Sequence, residues 1–188
     1  PDSFFSQFSA SGVDTTIAVP LTTRGYIEIF NTNAGLTFTA IPTGNLILKD
    51  GAQLAGNGNI TVPTVTFSSG GGVSPGWDTG TGILTINGNV NFEADSFAIF
   101  EINNFSVGFD QLVVNGDVGI TGGSMYMLWD DYATQTVNNL DIFDVISSTG
   151  SIGITGNFTT IIDPLGITGA PDVPNIGPGD LSYQYQVA

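Results

Sequence analysis

The chain contains no histidine and no cysteine. The commonest general base and the commonest transition-metal ligands are therefore missing, along with disulfides and thiolate metal sites. Acid–base chemistry is left to carboxylates. Glycoside hydrolysis needs a facing pair of them, one to protonate the leaving oxygen and one to activate water or to attack. The candidates are Glu93, Asp95 and Glu101, with Asp130 beside Asp131. Glu101 alternates with Phe97 and Ile99, which reads as a solvated position on a strand. A lyase would need a basic residue to abstract a proton, and the chain offers only Arg24 and Lys49. The expectation is a protein that is not an enzyme and has no catalytic residues.

Binding chemistry has more candidates. Asp110, Asp117, Asp141 and Asp144 sit at expected loop tips, where clustered oxygens suit calcium. None lies in an Asp-x-Asp-x-Asp-Gly or Gly-Gly-x-Gly-x-Asp signature, so no cofactor is expected, with a structural calcium ion as the exception to test. Tyr126, Trp129 and Tyr132 surround Asp130-Asp131. Strict alternation puts Tyr126 and Leu128 on one face and Met125, Met127 and Trp129 on the other, so part of this cluster belongs to a core. Trp129 and Tyr132 are the candidates for contact with a glycan surface. Asn59, Asn104 and Asn157 open Asn-x-Ser/Thr sequons, which become glycosylation sites only in a cell with the matching machinery.

Charge narrows the partners. Seventeen acidic residues against two basic ones give a net charge of −15. Two cations cannot neutralise a run of phosphates, so no nucleic acid is expected as a partner. An anionic bilayer fails for the same reason, and no apolar run is long enough for membrane insertion as a helix. Few basic residues also mean few sites for trypsin-like proteases, which fits an extracellular or cell-surface location. Pro1 stands where Met would begin a nascent chain, and the expected explanation is a removed signal peptide.

The elements that must carry these residues are short strands. Asn57-Gly-Asn-Ile, Asn87-Gly-Asn-Val and Asn115-Gly-Asp-Val recur with asparagines thirty and twenty-eight residues apart. Asn and Gly tolerate positive φ, and the β-branched residues that follow prefer extended chain. A turn-plus-strand unit at such a period marks stacked repeats. Strands are expected at 25–30, 36–41, 45–49, 60–67, 83–86, 90–92, 96–102, 111–114, 118–120, 124–128, 140–146 and 157–162, with a helical turn over 130–136. Pro164, Pro171, Pro174 and Pro178 then make an extended connector. It leads to a final run in which Leu181, Tyr183, Tyr185 and Val187 alternate with polar residues. The expected organisation is an N-terminal extension or cap strand over 1–24, a β-solenoid domain over 25–163, the connector over 164–180 and a C-terminal strand over 181–188.

The stretch from Gly51 to Pro164 resembles the β-helical passenger regions of bacterial autotransporters and related repeat-rich exported proteins. The phrases that carry the resemblance begin with Gln53-Leu-Ala-Gly-Asn-Gly-Asn-Ile, Ser74-Pro-Gly and Gly82-Ile-Leu-Thr-Ile-Asn-Gly-Asn-Val. They continue through Phe97-Ala-Ile-Phe-Glu-Ile, Phe109-Asp-Gln-Leu-Val-Val-Asn-Gly-Asp-Val, Asp141-Ile-Phe-Asp-Val-Ile and Gly156-Asn-Phe. The resemblance implies an all-β fold, a short right-handed parallel β-helix with terminal extension strands. A jelly-roll β-sandwich is the alternative, because Asn-Gly also makes hairpin turns. Such families host adhesins, proteases, stalks and matrix proteins, so fold alone leaves activity open. The leading expectation is a self-assembling structural subunit of a filament or biofilm matrix, a homo-oligomer or homopolymer. Its assembly residues would be Phe4, Phe5 and Phe8 at one end and Leu181, Tyr183, Tyr185 and Val187 at the other. An adhesin or carbohydrate-binding passenger comes second, and a carboxylate-dependent polysaccharide enzyme third.

Overall fold

The structure is a computed structural model. It describes the backbone of residues 7–11, 15–17, 21–23, 26–30, 35–38, 45–76, 80–104, 108–129, 142–162 and 182–186, and the side chains of 45–76, 80–103, 108–128 and 143–162. Among the described residues every regular element is a strand. In chain order they are β1 (Gln7–Ser11), β2 (Thr15–Ile17), β3 (Leu21–Thr23), β4 (Tyr26–Phe30), β5 (Gly35–Phe38), β6 (Leu46–Leu48) and β7 (Gln53–Gly56). Next come β8 (Gly58–Phe67), β9 (Gly72–Pro75), β10 (Ile83–Phe92), β11 (Phe97–Asn104), β12 (Gly108–Phe109) and β13 (Gln111–Val114). The last are β14 (Val118–Ile120), β15 (Ser124–Trp129), β16 (Ile142–Ser148), β17 (Ile154–Gly156), β18 (Thr160–Ile162) and β19 (Ser182–Gln186).

The fold is all-β with parallel sheets. One sheet runs β1-β4-β7-β9-β11-β15-β18, every neighbour parallel. The second sheet has two limbs. β2, β5, the first half of β8, the first half of β10, β13 and β16 form one. β3, β6, the second halves of β8 and β10, β14 and β17 form the other. The chain visits the first sheet, then the first limb, then the second limb, and returns to the first sheet. Among the described residues two pairings are antiparallel, the local β11–β12 pair and the terminal β16–β19 pair. A jelly roll is built of antiparallel strands, so the parallel ladders overturn that alternative.

Alternation explains which side chains enter the core. Along β8, Gly58, Ile60 and Val62 are buried while Asn59, Thr61 and Pro63 are exposed. The pattern slips by one place at Pro63, and Val65 and Phe67 are buried next. On the partner strand the register shifts between Asn87 and Asn89, so two residues of β8 face one of β10, as in a bulge. Gly88 fills that place with φ of 151°, and a Cβ there would lie 1.7 Å from the Val62 carbonyl oxygen.

Parallel register stacks like on like. Ile60, Ile86 and Val114 make one buried column, Leu46, Val65, Val90, Val118 and Ile154 another, and Leu48, Phe67, Phe92 and Ile120 a third. Phe67 and Phe92 stack with centroids 4.9 Å apart, and Phe158 meets Phe92 edge-on at 5.1 Å. On the first sheet Leu54, Val73, Ala98 and Met125 form the facing column. Each strand thus hides its apolar row only because its neighbours in the ladder do the same.

The corners repeat as well. Asp50, Ser69 and Asp95, all at positive φ, sit at the return to the first sheet. Each lies inside a turn closed by an i to i+3 bond: Ala52 N–H to Lys49 O, Gly71 N–H to Ser68 O and Ser96 N–H to Glu93 O. At the corner between the limbs, Asn115 donates through Nδ2 to Asn87 Oδ1 at 2.7 Å, and Asn87 donates to Thr61 Oγ1 at 3.1 Å. The twenty-eight-residue spacing is therefore a real structural period. The thirty-residue one is not, because Asn57 precedes the Gly58↔Leu84 pair and belongs to a different corner. Here Thr61, not Asn57, stands under Asn87.

The segment expected as an extension or cap over 1–24 supplies β1, β2 and β3, which ladder onto β4, β5 and β6. The expected helical turn over 130–136 lies outside the described residues.

Candidate functional site

Three features are candidates for function: the ends of the ladders, a groove on the outside of the first sheet, and a buried carboxyl at one corner.

Among the described residues the ladders end in strand edges. At the N-terminal end these are β1, β2 and β3, and at the C-terminal end β17, β18 and β19. Thr160 turns its N–H to Gly123 O at the start of β15, so strand alternation turns the N–H and C=O of Ile161 to the side away from β15. Unpaired strand edges are templates for another chain. Of the residues expected to drive assembly, Phe8 falls in β1 and Tyr183 and Tyr185 in β19. Backbone register places Tyr183 opposite Ile146 and Tyr185 opposite Phe143 of the same chain. Phe4, Phe5, Leu181 and Val187 lie outside the described residues.

On the outer face of the first sheet, Phe97, Ile99 and Tyr126 line a groove of about 240 Å³. Alternation builds it. Ala98 and Phe100 of β11 and Met125 and Met127 of β15 are fully buried, which turns Phe97, Ile99, Tyr126 and Leu128 outward. The Phe97 ring lies over Gly72, where a Cβ would come within 2.3 Å of it. Ser74 on β9 is fully buried, and its Oγ has no hydrogen-bond partner among the described residues. The sequence pointed to Trp129 and Tyr132 for glycan contact. Trp129 is the last residue of β15, paired in register with Ile102, and its side chain is not among those described. Tyr132 lies outside the described residues. In the groove the structure brings together Phe97 and Tyr126 instead, a pair the sequence reading missed and that the two-residue period of β11 and β15 could have found.

The buried carboxyl is Asp110. Its Oδ1 accepts from Gly82 N–H at 2.7 Å, and its Oδ2 accepts from Glu101 N–H at 2.8 Å. Its own N–H donates to Glu101 O at 2.8 Å. One side chain therefore ties β11 and the entry to β10 to the start of β13. Burial pushes its pKa up to about 8, against the two N–H groups that favour the charged form and with a small further push from the Glu101 carboxylate. Gly76, at φ of 82°, lies against it, and a Cβ there would come within 2.4 Å of Oδ1. Asp110 was one of the candidate positions for a structural calcium ion at a loop tip, and its two oxygens are engaged by backbone N–H groups.

The other expected sites are scattered. Asp117 accepts at Oδ1 from the N–H groups of Ile152 and Gly153, at 2.8 and 3.2 Å, so it too works as a corner clamp. Asp144 is exposed on β16. Glu93 and Asp95 are exposed at the turn between β10 and β11, while Glu101 is half-buried on β11 itself. Among the described residues no three acidic side chains gather as a metal group. Asp130, Asp131 and Asp141 lie outside the described residues. Asn59 and Asn157 are exposed, and Asn104 ends β11 with its side chain outside those described.

No protein-family model matches the chain, and no curated protein matches it.

Proposed function

We propose that this chain is a non-catalytic structural protein of the cell exterior, a subunit that polymerises through the open edges of its strand ladders. In this reading the fold is a short right-handed parallel β-helix, akin to autotransporter passengers. The observation that carries the proposal is the continuity of three ladders, parallel but for the terminal β19, that stop in strand edges at both ends among the described residues. The cyclic visiting order of the chain supports the helical reading. Right-handed crossovers are the rule for parallel strands, which supports the hand.

Stacking one copy's last strands on the next copy's first strands is a heterologous contact that does not close, and such contacts give fibres. The −15 charge opposes this at low ionic strength, and salt relieves it. The test is electron microscopy of the purified chain at low and physiological salt, beside Ile161→Pro. Proline removes the N–H that β18 offers to the open side while sparing the bonds to β15. Salt-dependent fibres that shorten or vanish in the variant, with its β-sheet circular dichroism intact, are expected. Fibres unchanged by the variant would rule out growth through β18.

A second reading has a specific observation behind it. The outer groove offers Phe97 and Tyr126 beside Ile99, and aromatic faces are what a glycan-binding module presents. Glycan-array binding that disappears with Tyr126→Ala would favour the adhesin.

A further inference from the structure

The terminal strand β19 is unlike the other sheet-forming strands that the chain sends across from the first sheet. Those join the first limb in parallel, whereas β19 pairs with β16 antiparallel. Connections from the first sheet to that limb hold three residues between β1 and β2 (12–14), four between β4 and β5 (31–34), one between β7 and β8, and seven between β9 and β10 (76–82). Six lie between β11 and β13 (105–110, β12 included), twelve between β15 and β16 (130–141), and nineteen between β18 and β19 (163–181), so the last is the longest. Counting strands shows what β19 does. The first sheet has seven on its main path, the second limb six, and the first limb reaches seven only by including β19. It occupies the place of the next coil's strand without belonging to that coil.

The geometry points to β19 as an exchangeable strand: in the assembled protein it leaves its own β16 and pairs in the same register with β16 of a second copy. The inference rests on the assembly reading given above and names how neighbouring copies are joined. The bonds made are the same in both cases, so the exchange costs little beyond the change of tether. A chain reaches at most about 3.3–3.6 Å per residue, so the nineteen residues between Ile162 and Ser182 can span no more than roughly 65 Å. A stack of seven strands at about 4.8 Å is roughly 34 Å high, so a neighbour's equivalent edge is within reach. In dilute solution the tether holds β19 at an effective concentration in the millimolar range beside its own β16, and the chain closes on itself. In a filament the neighbour's edge is held at a comparable local concentration, and exchange follows assembly. A bulge weakens the pairing that must open: the register shifts between Asp144 and Ile146, and Val145 and Ile146 are both buried in succession.

The absence of cysteine gives a clean test. Asp144 and Gln184 are register partners across β16 and β19. The variants are Asp144→Cys in one preparation, Gln184→Cys in another, and both changes in one chain. Oxidised while dilute, the double variant is expected to close a bond within the chain. Failure to close it would remove the pairing on which the inference stands. The two single variants are then mixed, assembled in salt and oxidised. A disulfide-linked dimer holding one chain of each kind, at least tenfold above the same mixture kept dilute, is the expected result. Fibres that contain no such dimer would overturn strand exchange and leave assembly through the edges intact. Absence of both fibres and dimer would overturn the assembly reading and the exchange together.

Discussion

Asp110 shows how one residue makes the fold sensitive to its surroundings. Its carboxyl stands at about 8 in the folded chain against an ordinary 3.8. Below the lower value it is protonated both folded and unfolded and gives no pH dependence. Between the two, the folded chain holds a proton that the unfolded chain has released, so stability falls as pH rises and the loss is complete above about 8. The sequence has no histidine or cysteine to titrate in that range. Urea unfolding midpoints should therefore drop steadily from pH 6 to 8. Asp110→Asn should flatten that slope while costing about 1–3 kcal/mol at pH 6, because an amide has one acceptor oxygen and its NH2 would face the second of the two backbone N–H groups. A wild-type midpoint that rises over this range would contradict the assignment. Gly88 makes a steric counterpart. Gly88→Ala puts a Cβ against the Val62 carbonyl at positive φ, and a loss of about 2–4 kcal/mol in the same assay is expected.

Strands and corners stabilise one another along columns, so the cost of a change depends on whether it breaks a column. Phe92 is fully buried between Phe67 and Phe158, and Phe92→Ala should cost about 3–5 kcal/mol. Ile83, on the same strand but 48% exposed, should change stability by no more than about 0.5 kcal/mol when cut to alanine. Equal losses at the two sites, measured by denaturant unfolding, would contradict the column account. Much of this level was legible in the sequence. The alternation along 60–67, 111–114 and 118–120 was readable because large apolar residues mark the buried rows, although it slips by one place at Pro63. β7 and β9 escaped notice because they are short and their small residues, Ala55 and Gly56 in one and Gly72 and Ser74 in the other, are buried with the apolar ones, which erases the contrast on which the period depends. β10 read as two strands because Asn87-Gly-Asn interrupts the pattern, yet the bulge lets one strand turn the corner unbroken. Asn57 looked equivalent to Asn87 because local chemistry shows that a corner exists, not which corner it is. Only ladder register decides that. Of the candidate surfaces, the outward row of Phe97 and Tyr126 was readable from alternation. Asp110 was not, because its burial arises from residues 28 and 9 places away.

For the whole molecule, charge and edges act against each other. A net −15 with few cations keeps copies apart at low salt, while the strand edges at both ends invite pairing. Screening shortens the range of repulsion to about 8 Å at physiological salt, so assembly should set in with rising ionic strength. Static light scattering should show it, and onset at falling ionic strength would contradict this balance. The most direct test of the central claim, that copies stack along the axis of their strand ladders, is fibre diffraction from aligned assemblies. The account predicts a reflection at about 4.7–4.8 Å on the meridian, because strands of successive coils lie across the fibre axis. A reflection of that spacing on the equator, or a chain that stays monomeric at every salt concentration, would contradict it.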